Sequence, residues 1–324
     1  MLVAIIILAL LFNFMNGFLG SSSSVATIIA SRAIQPRIAL GMTAVAVFLG
    51  PLIFGVAVAQ TIGAGIITPE IVRPGMIVAA LVSAISWNLL TSYFGIPSSP
   101  SYALIGGLVG TAIASAGFGA LQPGGILKTL LSLFLSPVLG MLMGLLITRV
   151  VLYLARNASL KINWWFRNGQ ALTGFVLALS NGANDAPKGM GIIMLGLLTM
   201  QSMSGFQVPL WVLLSSAAAM ALGSVIGGWR IIKTLGGKFF RIRPVDSFCS
   251  QIAAATVTLS AALIGGPVST TQVVSSSILG VGAAERINKV RWGVAKNIGL
   301  TWLVTIPANM LLGWGLYQII RFVG

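Results

Sequence analysis

Titratable side chains are scarce in this sequence. It contains no histidine, one cysteine and only four acidic residues among 324. Without histidine it lacks the commonest proton shuttle and metal ligand, and a single cysteine, Cys249, excludes an internal disulfide framework. A membrane-embedded enzyme needs a nucleophile with a base, or a metal site, and this composition offers neither. We therefore expect no enzyme, no metal site and no cofactor other than a coupling ion.

Charged residues are also rare, whereas apolar residues dominate. Charged residues make up 7% of the chain and hydrophobic residues 57%, the balance of an integral membrane protein. Apolar stretches recur nearly end to end, and a spanning helix needs about 20 such residues. The sequence predicts an all-α polytopic membrane protein with about 10 to 12 transmembrane segments.

The net charge of +15 comes from 19 lysines and arginines that lie mostly in short polar loops. No continuous basic face follows from this spacing, so nucleic-acid binding is not expected. Basic loops instead indicate membrane orientation. The stretch 156–168, with Lys161, Trp164 and Trp165, reads as a basic interfacial connection. We place it between a first repeat, residues 1–155, and a second, residues 169–324.

Two polar motifs each occur twice within apolar sequence. An Asn-Gly motif is found at residues 16–24 and again at 181–189, and a Pro-Ser/Thr motif at 97–101 and again at 267–271. Basic residues follow the first Asn-Gly copy closely but mainly precede the second, which indicates two inverted repeats. Many transporters build a midplane site from such duplicated, broken or re-entrant segments, so transport is the leading hypothesis.

The second Asn-Gly motif places Asp185 and Lys188 within a membrane segment. A buried carboxylate is costly unless it is paired or lines a wet cavity, so Asp185 is expected to bind a cation or pair with a base, of which Lys188 is nearest. The alternative is an ordinary helix-capping turn at the membrane interface. The predicted cation ligands are Asn16, Asn181, Asn184 and Asp185.

The Pro-Ser/Thr motifs put hydroxyls at the predicted start of a helix in each half. Free backbone N–H groups and hydroxyls at a helix N-terminus form a cradle for an anion, and two such cradles could enclose one tetrahedral oxyanion. The alternative is that the hydroxyls only cap or pack the helices. The predicted anion-binding residues are Ser98, Ser99, Ser101, Ser269, Thr270, Thr271, Ser22 and Ser23.

The long motifs resemble those of the PiT family of inorganic phosphate transporters. The resemblance is closest in Asn-Gly-Ala-Asn-Asp-Ala-Pro-Lys-Gly-Met-Gly-Ile-Ile at 181–193, Gly-Gly-Trp-Arg-Ile-Ile-Lys-Thr-Leu-Gly at 227–236 and Gly-Pro-Val-Ser-Thr-Thr-Gln-Val-Val-Ser-Ser at 266–276. Residues 87–91, 97–107 and 280–284 extend it over nearly the whole chain. It implies broken hairpins around one phosphate and coupling to Na⁺ or H⁺, with metal-phosphate complexes as substrate in some members.

Four positions depart from the family pattern. Gly20 stands where the first repeat usually carries an acid, and Val47 replaces a second common acid. Tyr102 and Gln272 occupy hairpin positions that are often histidine. Loss of the first acid is similar to the sulfate permease branch of the family, whereas Asp185 and the hydroxyls at 269–271 favour phosphate.

We therefore expect a symporter that moves inorganic phosphate by alternating access. A sulfate or related oxyanion permease of the same fold and a non-transporting phosphate sensor are the alternatives. The expected partners are inorganic phosphate, with sulfate or metal-phosphate as other substrates, the lipid bilayer and, as one option, a second copy of the chain. Compact loops and the lack of a targeting segment predict a multi-pass protein of a prokaryotic inner membrane.

Overall fold

The computed structural model describes residues 1–159, 161–200 and 205–323, and it is almost entirely helical. Proline opens five of its α-helices, as expected of a residue whose missing N–H costs nothing there. The helices are α1 (Leu2–Ala30), α2 (Pro36–Phe54), α3 (Ala57–Ala64), α4 (Pro74–Tyr93), α5 (Pro100–Ala116), α6 (Pro123–Leu154), α7 (Ile162–Thr199), α8 (Leu210–Ile226), α9 (Trp229–Gly237), α10 (Pro244–Leu263), α11 (Thr270–Glu285) and α12 (Trp292–Val323).

Several of these helices are suited to a bilayer. Five of those described, α1, α2, α4, α6 and α12, are long and apolar enough to span it, and α8 with α9, bent by 70°, gives a sixth candidate. The outward faces of α6 and α12 expose leucines such as Leu131, Leu142 and Leu303, which suits contact with lipid. The structure confirms the predicted all-α membrane fold.

The order of helices occurs twice along the chain. A long helix (α1, α7) is followed by a pair broken at a glycine with positive φ, which is Gly55 (φ 81°) in α2–α3 and Gly227 (φ 61°) in α8–α9. A two-helix hairpin (α4–α5, α10–α11) and a helix of 32 residues (α6, α12) complete each set. The inverted orientation and the boundaries at 155 and 168 stay predictions, and α7 includes the last residues of the expected connection.

The helices of the two sets pack against each other. Helix α1 packs on α8 and α7 on α2, while α5 packs on α12 and α11 on α6. At the first two crossings the backbones meet at glycine, because a Cβ on Gly17 would collide with the carbonyl oxygen of Met220 and one on Gly182 with that of Val47. Small residues allow such close approach of membrane helices.

The prediction that the Asn-Gly motifs break their helices is wrong. Helix α1 runs unbroken through Asn16 to Ser24, and α7 runs through Asn181 and Pro187 to Thr199. The glycines serve close packing instead of a turn, and a membrane helix tolerates proline when its neighbours satisfy the freed backbone groups. The breaks lie between the paired helices and at the hairpin tips, where the Pro-Ser/Thr motifs were correctly expected to interrupt the chain.

Candidate functional site

The tips of the two hairpins have the same construction. Each turns at a glycine with positive φ, Gly95 (66°) or Gly265 (69°). A serine then caps the second helix: the Ser99 hydroxyl accepts the Tyr102 N–H at 3.2 Å, and that of Ser269 accepts the Gln272 N–H at 3.4 Å. Serine is a favoured N-cap because its oxygen satisfies an otherwise free backbone N–H. The hydroxyl-rich sequences therefore begin α5 and α11 as predicted.

A buried ion pair on α7 joins both tips. Lys188 pairs with Asp185, and both side chains are at most 1% exposed. The Thr270 hydroxyl donates to Asp185 Oδ2 at 2.7 Å. Lys188 Nζ donates to the Ser101 hydroxyl and to the Val268 carbonyl oxygen, both at 2.6 Å. One charged pair thus contacts the first hairpin through Ser101 and the second through Thr270 and Val268.

Asn184 holds the tip of the second hairpin. Its amide nitrogen donates to the Gly266 carbonyl at 3.0 Å, and its amide oxygen accepts the Val268 N–H at 3.1 Å. Both ends of the side chain are therefore occupied by backbone. This geometry positions the tip beside Asp185.

The other expected cation ligands lie where α1 meets α7. Asn16 Nδ2 donates to the Asp185 backbone carbonyl at 3.4 Å, and Asn181 Nδ2 donates to the Ser24 hydroxyl at 2.8 Å. Among the described residues, the Asn181 amide oxygen has no hydrogen-bond partner. A Cβ on Gly20 would lie 3.7 Å from Asp185 Oδ2, so the position of the absent acid is next to the one that remains.

Ser22 and Ser23 make hydrogen bonds away from the hairpin tips. The Ser22 hydroxyl donates to the Phe18 carbonyl at 2.7 Å and accepts the Gly228 N–H, between α8 and α9, at 2.6 Å. The Ser23 hydroxyl donates to the Gly20 carbonyl at 2.8 Å. The structure thus shows these hydroxyls fixing α1, whereas the other six predicted anion ligands lie at the hairpins.

Some buried polar groups at the hairpin tips have no protein partner. In the described part of the chain, those at the tips are the Ser98 hydroxyl, the Thr271 hydroxyl and both ends of the Gln272 amide. An unsatisfied buried polar group costs about 1–3 kcal/mol, so most such groups in proteins bind something. Ser98 precedes the cap Ser99, and Thr271 and Gln272 follow the cap Ser269. A bound anion there would also meet the N-termini of α5 and α11.

The residue that sequence reasoning undervalued is Lys188. We expected it only as a partner for Asp185, but it also contacts both hairpins and is fully buried. Its presence inside an apolar segment was the available signal, because a lysine within the membrane is rarely without a function. The contacts of the Val268 and Gly266 carbonyls carried no such signal.

Two of the remaining acids form a separate ion-pair cluster where α10 begins and α11 ends. Arg243 contacts Asp246 Oδ1 at 3.1 Å and also pairs with Glu285. Lys289 Nζ lies 2.9 Å from Glu285 Oε2, and burial lowers its pKa, an effect that the Asp246 carboxylate opposes. Both carboxylates of this cluster are paired with basic side chains. Asp185 is thus the acid at the hairpin tips.

Comparison with known proteins identifies the family to which the chain belongs. The model of the phosphate transporter family matches residues 16–165 and 155–313. The chain belongs to this family. A probable low-affinity inorganic phosphate transporter of Bacillus subtilis (strain 168) is 42% identical over 99% of the chain and 97% of its own length. A probable low-affinity inorganic phosphate transporter of Rhizobium meliloti (strain 1021) is 43% identical over 96% of the chain and 94% of its own length.

A solved structure has the same fold throughout. It is titled "The sodium-dependent phosphate transporter" and matches with a TM-score of 0.89 and 25% sequence identity. The match covers 100% of the chain described here and 99% of the solved chain. These findings confirm the predicted family. They also agree with the expectation that the chain is a transporter and not an enzyme.

Proposed function

We propose that this phosphate-transporter family member carries inorganic phosphate by cation-coupled symport with alternating access. The observation that carries the proposal is the meeting of two equivalent hairpin tips at the buried Asp185–Lys188 pair. Sites between repeats, at the ends of interrupted helices, are where secondary transporters bind substrate. The relatives' names support phosphate as the substrate.

Phosphate binds, in this proposal, between the N-termini of α5 and α11. Ser98, Ser99 and Ser101 contribute hydroxyls from the first hairpin, and Ser269, Thr270 and Thr271 from the second. The backbone N–H groups and positive dipole ends of the two helices add to the attraction for an anion. Phosphate at neutral pH carries a proton, and the carboxylate of Asp185 can accept a hydrogen bond from it.

The coupling ion binds near the same carboxylate. Carboxylate and amide oxygens suit a hard cation, and the free Asn181 oxygen, Asn16 and Asp185 lie close together where α1 meets α7. A cation beside the anion offsets the cost of burying its charge. Na⁺ is the first choice because the structural neighbour is titled sodium-dependent, and H⁺ is the alternative.

Transport requires this site to open to each side in turn. All six hairpin hydroxyl residues are at most 4% exposed, so the described conformation is occluded. Movement of the hairpins relative to α1 and α7 would expose them. We place the protein in a prokaryotic inner membrane, as its bacterial relatives suggest, with a homodimer and a metal-phosphate substrate as open extensions.

Uptake of labelled phosphate into proteoliposomes under separate Na⁺ and H⁺ gradients tests the proposal. Asp185→Ala and Thr270→Ala should each reduce uptake at least about tenfold, the effect of losing about 1.4 kcal/mol of binding. Thr256→Ala is the matched control, since Thr256 is exposed on α10 and bonds only its own helix. Parental uptake by both site variants would refute the proposal, and binding without uptake by the parent would indicate a sensor.

Sulfate is the second candidate, favoured by Gly20. The site holds one carboxylate where an acid at position 20 would add another beside Asp185. Sulfate has no proton to donate to that carboxylate at neutral pH, whereas phosphate does. Competition between the two anions separates the candidates: unlabelled phosphate, and not sulfate, should suppress phosphate uptake.

A further inference from the structure

The surroundings of the Lys188 ammonium group are those of a bound metal cation. Its nitrogen contacts a carboxylate oxygen of Asp185, a hydroxyl oxygen of Ser101 and a carbonyl oxygen of Val268. Carboxylate, hydroxyl and carbonyl oxygens are the ligands that hard cations take in proteins. They come from α7 and from both hairpins, so the nitrogen lies at the junction of three elements.

The charges near Asp185 balance within the protein. Among the described residues, the buried charged side chains are Asp185, Lys188 and Asp246, and Asp246 belongs to the separate cluster at the start of α10. Asp185 and Lys188 therefore sum to zero. Because Gly20 adds no acid beside them, no second carboxylate calls for a second cation.

We propose that the Lys188 ammonium is a tethered cation that takes the place of one exchangeable coupling cation at Asp185. The inference rests on the proposed symport function and refines its ion requirement. Lys188 stays attached to α7 through the cycle, so the positive charge at this point need not be drawn from solution. Phosphate binding then depends on one fewer dissolved cation.

A simpler role, Lys188 as a phosphate ligand, fits the contacts less well. An ammonium group has three N–H donors, and three protein oxygens already accept from it. The described polar groups without partners at the hairpin tips, by contrast, are the Ser98 and Thr271 hydroxyls and the Gln272 amide. The anion has unpaired hairpin donors to bind, while Lys188 is engaged in neutralising Asp185 and joining the tips.

Removing the tethered charge should create a requirement for Na⁺. Lys188→Met keeps an unbranched side chain but leaves the Asp185 carboxylate buried and unpaired, a strongly unfavourable state. Na⁺ would relieve it, so we expect an apparent Na⁺ affinity about tenfold or more above that of the parent, within the usual range of coupling between sites. The readout is thermal stability of the purified protein in NaCl against choline chloride.

Lys188→Met/Asp185→Asn is the matched control. It removes the carboxylate together with the ammonium, so the need for a replacement cation disappears. The double variant should show no gain in Na⁺ affinity over the parent. An equal gain in both variants would mean that Na⁺ binds elsewhere and would overturn the proposal.

Gly20→Asp tests the same charge balance without altering Lys188. Its Cβ would lie 3.7 Å from Asp185 Oδ2, an ordinary contact, and its carboxylate would leave the pair one positive charge short. We expect Gly20→Asp to gain Na⁺ affinity as Lys188→Met does, whereas Gly20→Asn, similar in shape and neutral, should not. If Lys188→Met does not fold, the comparison of Gly20→Asp with Gly20→Asn still tests whether Lys188 acts as a tethered cation.

The outcomes separate the two proposals. In one outcome the parent takes up no phosphate, while Na⁺ affinity rises in Lys188→Met and Gly20→Asp but not in their controls. That result would refute the symport proposal and support the tethered cation. If the parent transports phosphate and neither variant gains Na⁺ affinity, the tethered cation is refuted. Loss of phosphate binding by folded Lys188→Met without any Na⁺ gain would make Lys188 a phosphate ligand, which also overturns the inference.

Discussion

Neighbouring hydroxyls at each hairpin tip have different roles. Ser99 and Ser269 use their oxygens to cap α5 and α11, and Thr270 donates to Asp185. Ser98 and Thr271 are equally buried but have no partner among the described residues. The first group stabilises the protein by itself, whereas the second can contribute only when something binds.

This difference predicts opposite effects on stability and transport. Ser98→Ala and Thr271→Val should raise the KM for phosphate without lowering the melting temperature, because they remove buried groups that make no hydrogen bond. Ser99→Ala should instead cost about 1 kcal/mol of stability, the usual effect of losing an N-cap. Thermal denaturation without phosphate and uptake kinetics measure the two effects. A clear loss of stability in Ser98→Ala would show that its hydroxyl is already used within the protein.

The roles of single residues were only partly predictable. That Asp185 must have a partner followed from the cost of a carboxylate in the membrane, and Lys188 was the nearest candidate. The sequence could not show that Asn184 binds backbone at both ends of its amide, since Gly266 and Val268 lie more than 80 positions away. Those contacts depend on how α10–α11 folds against α7.

Glycine has two different roles among the helices. Gly265 has a positive φ and turns the chain at a hairpin tip, a role that its Gly-Pro-Ser/Thr context made predictable. Gly17 and Gly182 lie within unbroken helices at close crossings, a role that depends on the opposing carbonyls of Met220 and Val47. Local sequence indicates where glycine permits a turn, but the partner helix determines where it permits contact.

Gly182→Ala should destabilise the protein by about 1–3 kcal/mol, the usual cost of overpacking a close contact. The added methyl group would strike the Val47 carbonyl and force α7 away from α2. Gly41→Ala on α2 is the control, because beyond its own turn of helix no described atom lies within 4 Å of the added carbon. The melting temperature in detergent should fall for Gly182→Ala alone. Equal melting temperatures would indicate that α2 and α7 separate without cost.

At the scale of the whole molecule, each set of helices is completed by the other. Helix α1 packs on α8 and α7 on α2, and each hairpin packs on the 32-residue helix of the opposite set. The hydrophobic pattern and the motif spacing predicted that the helix order repeats, because both can be read directly from the sequence. They could not predict this exchange of partners, which arises only when the two sets assemble around the Asp185–Lys188 pair.

Inverted topology makes a prediction about the loops that precede the hairpins. Glu70 lies just before α4 and Arg241 just before α10, both exposed. If the two sets are inverted, these positions face opposite sides, with the basic loop around Arg241 in the cytoplasm. In a Cys249→Ala background, which removes the buried native thiol, Glu70→Cys should react with an impermeant maleimide in intact cells and Arg241→Cys only after permeabilisation.

Labelling of both cysteines from one side would mean that the two sets run in parallel. The pseudo-symmetric site would then open in the same direction through both hairpins, and alternating access could not arise from exchanging the conformations of the two sets. Labelling of the two cysteines from opposite sides would instead show that the two hairpins enter from opposite sides of the membrane. Because Lys188 contacts both tips, opening on either side would have to break one of its two hairpin contacts while the pair with Asp185 persists.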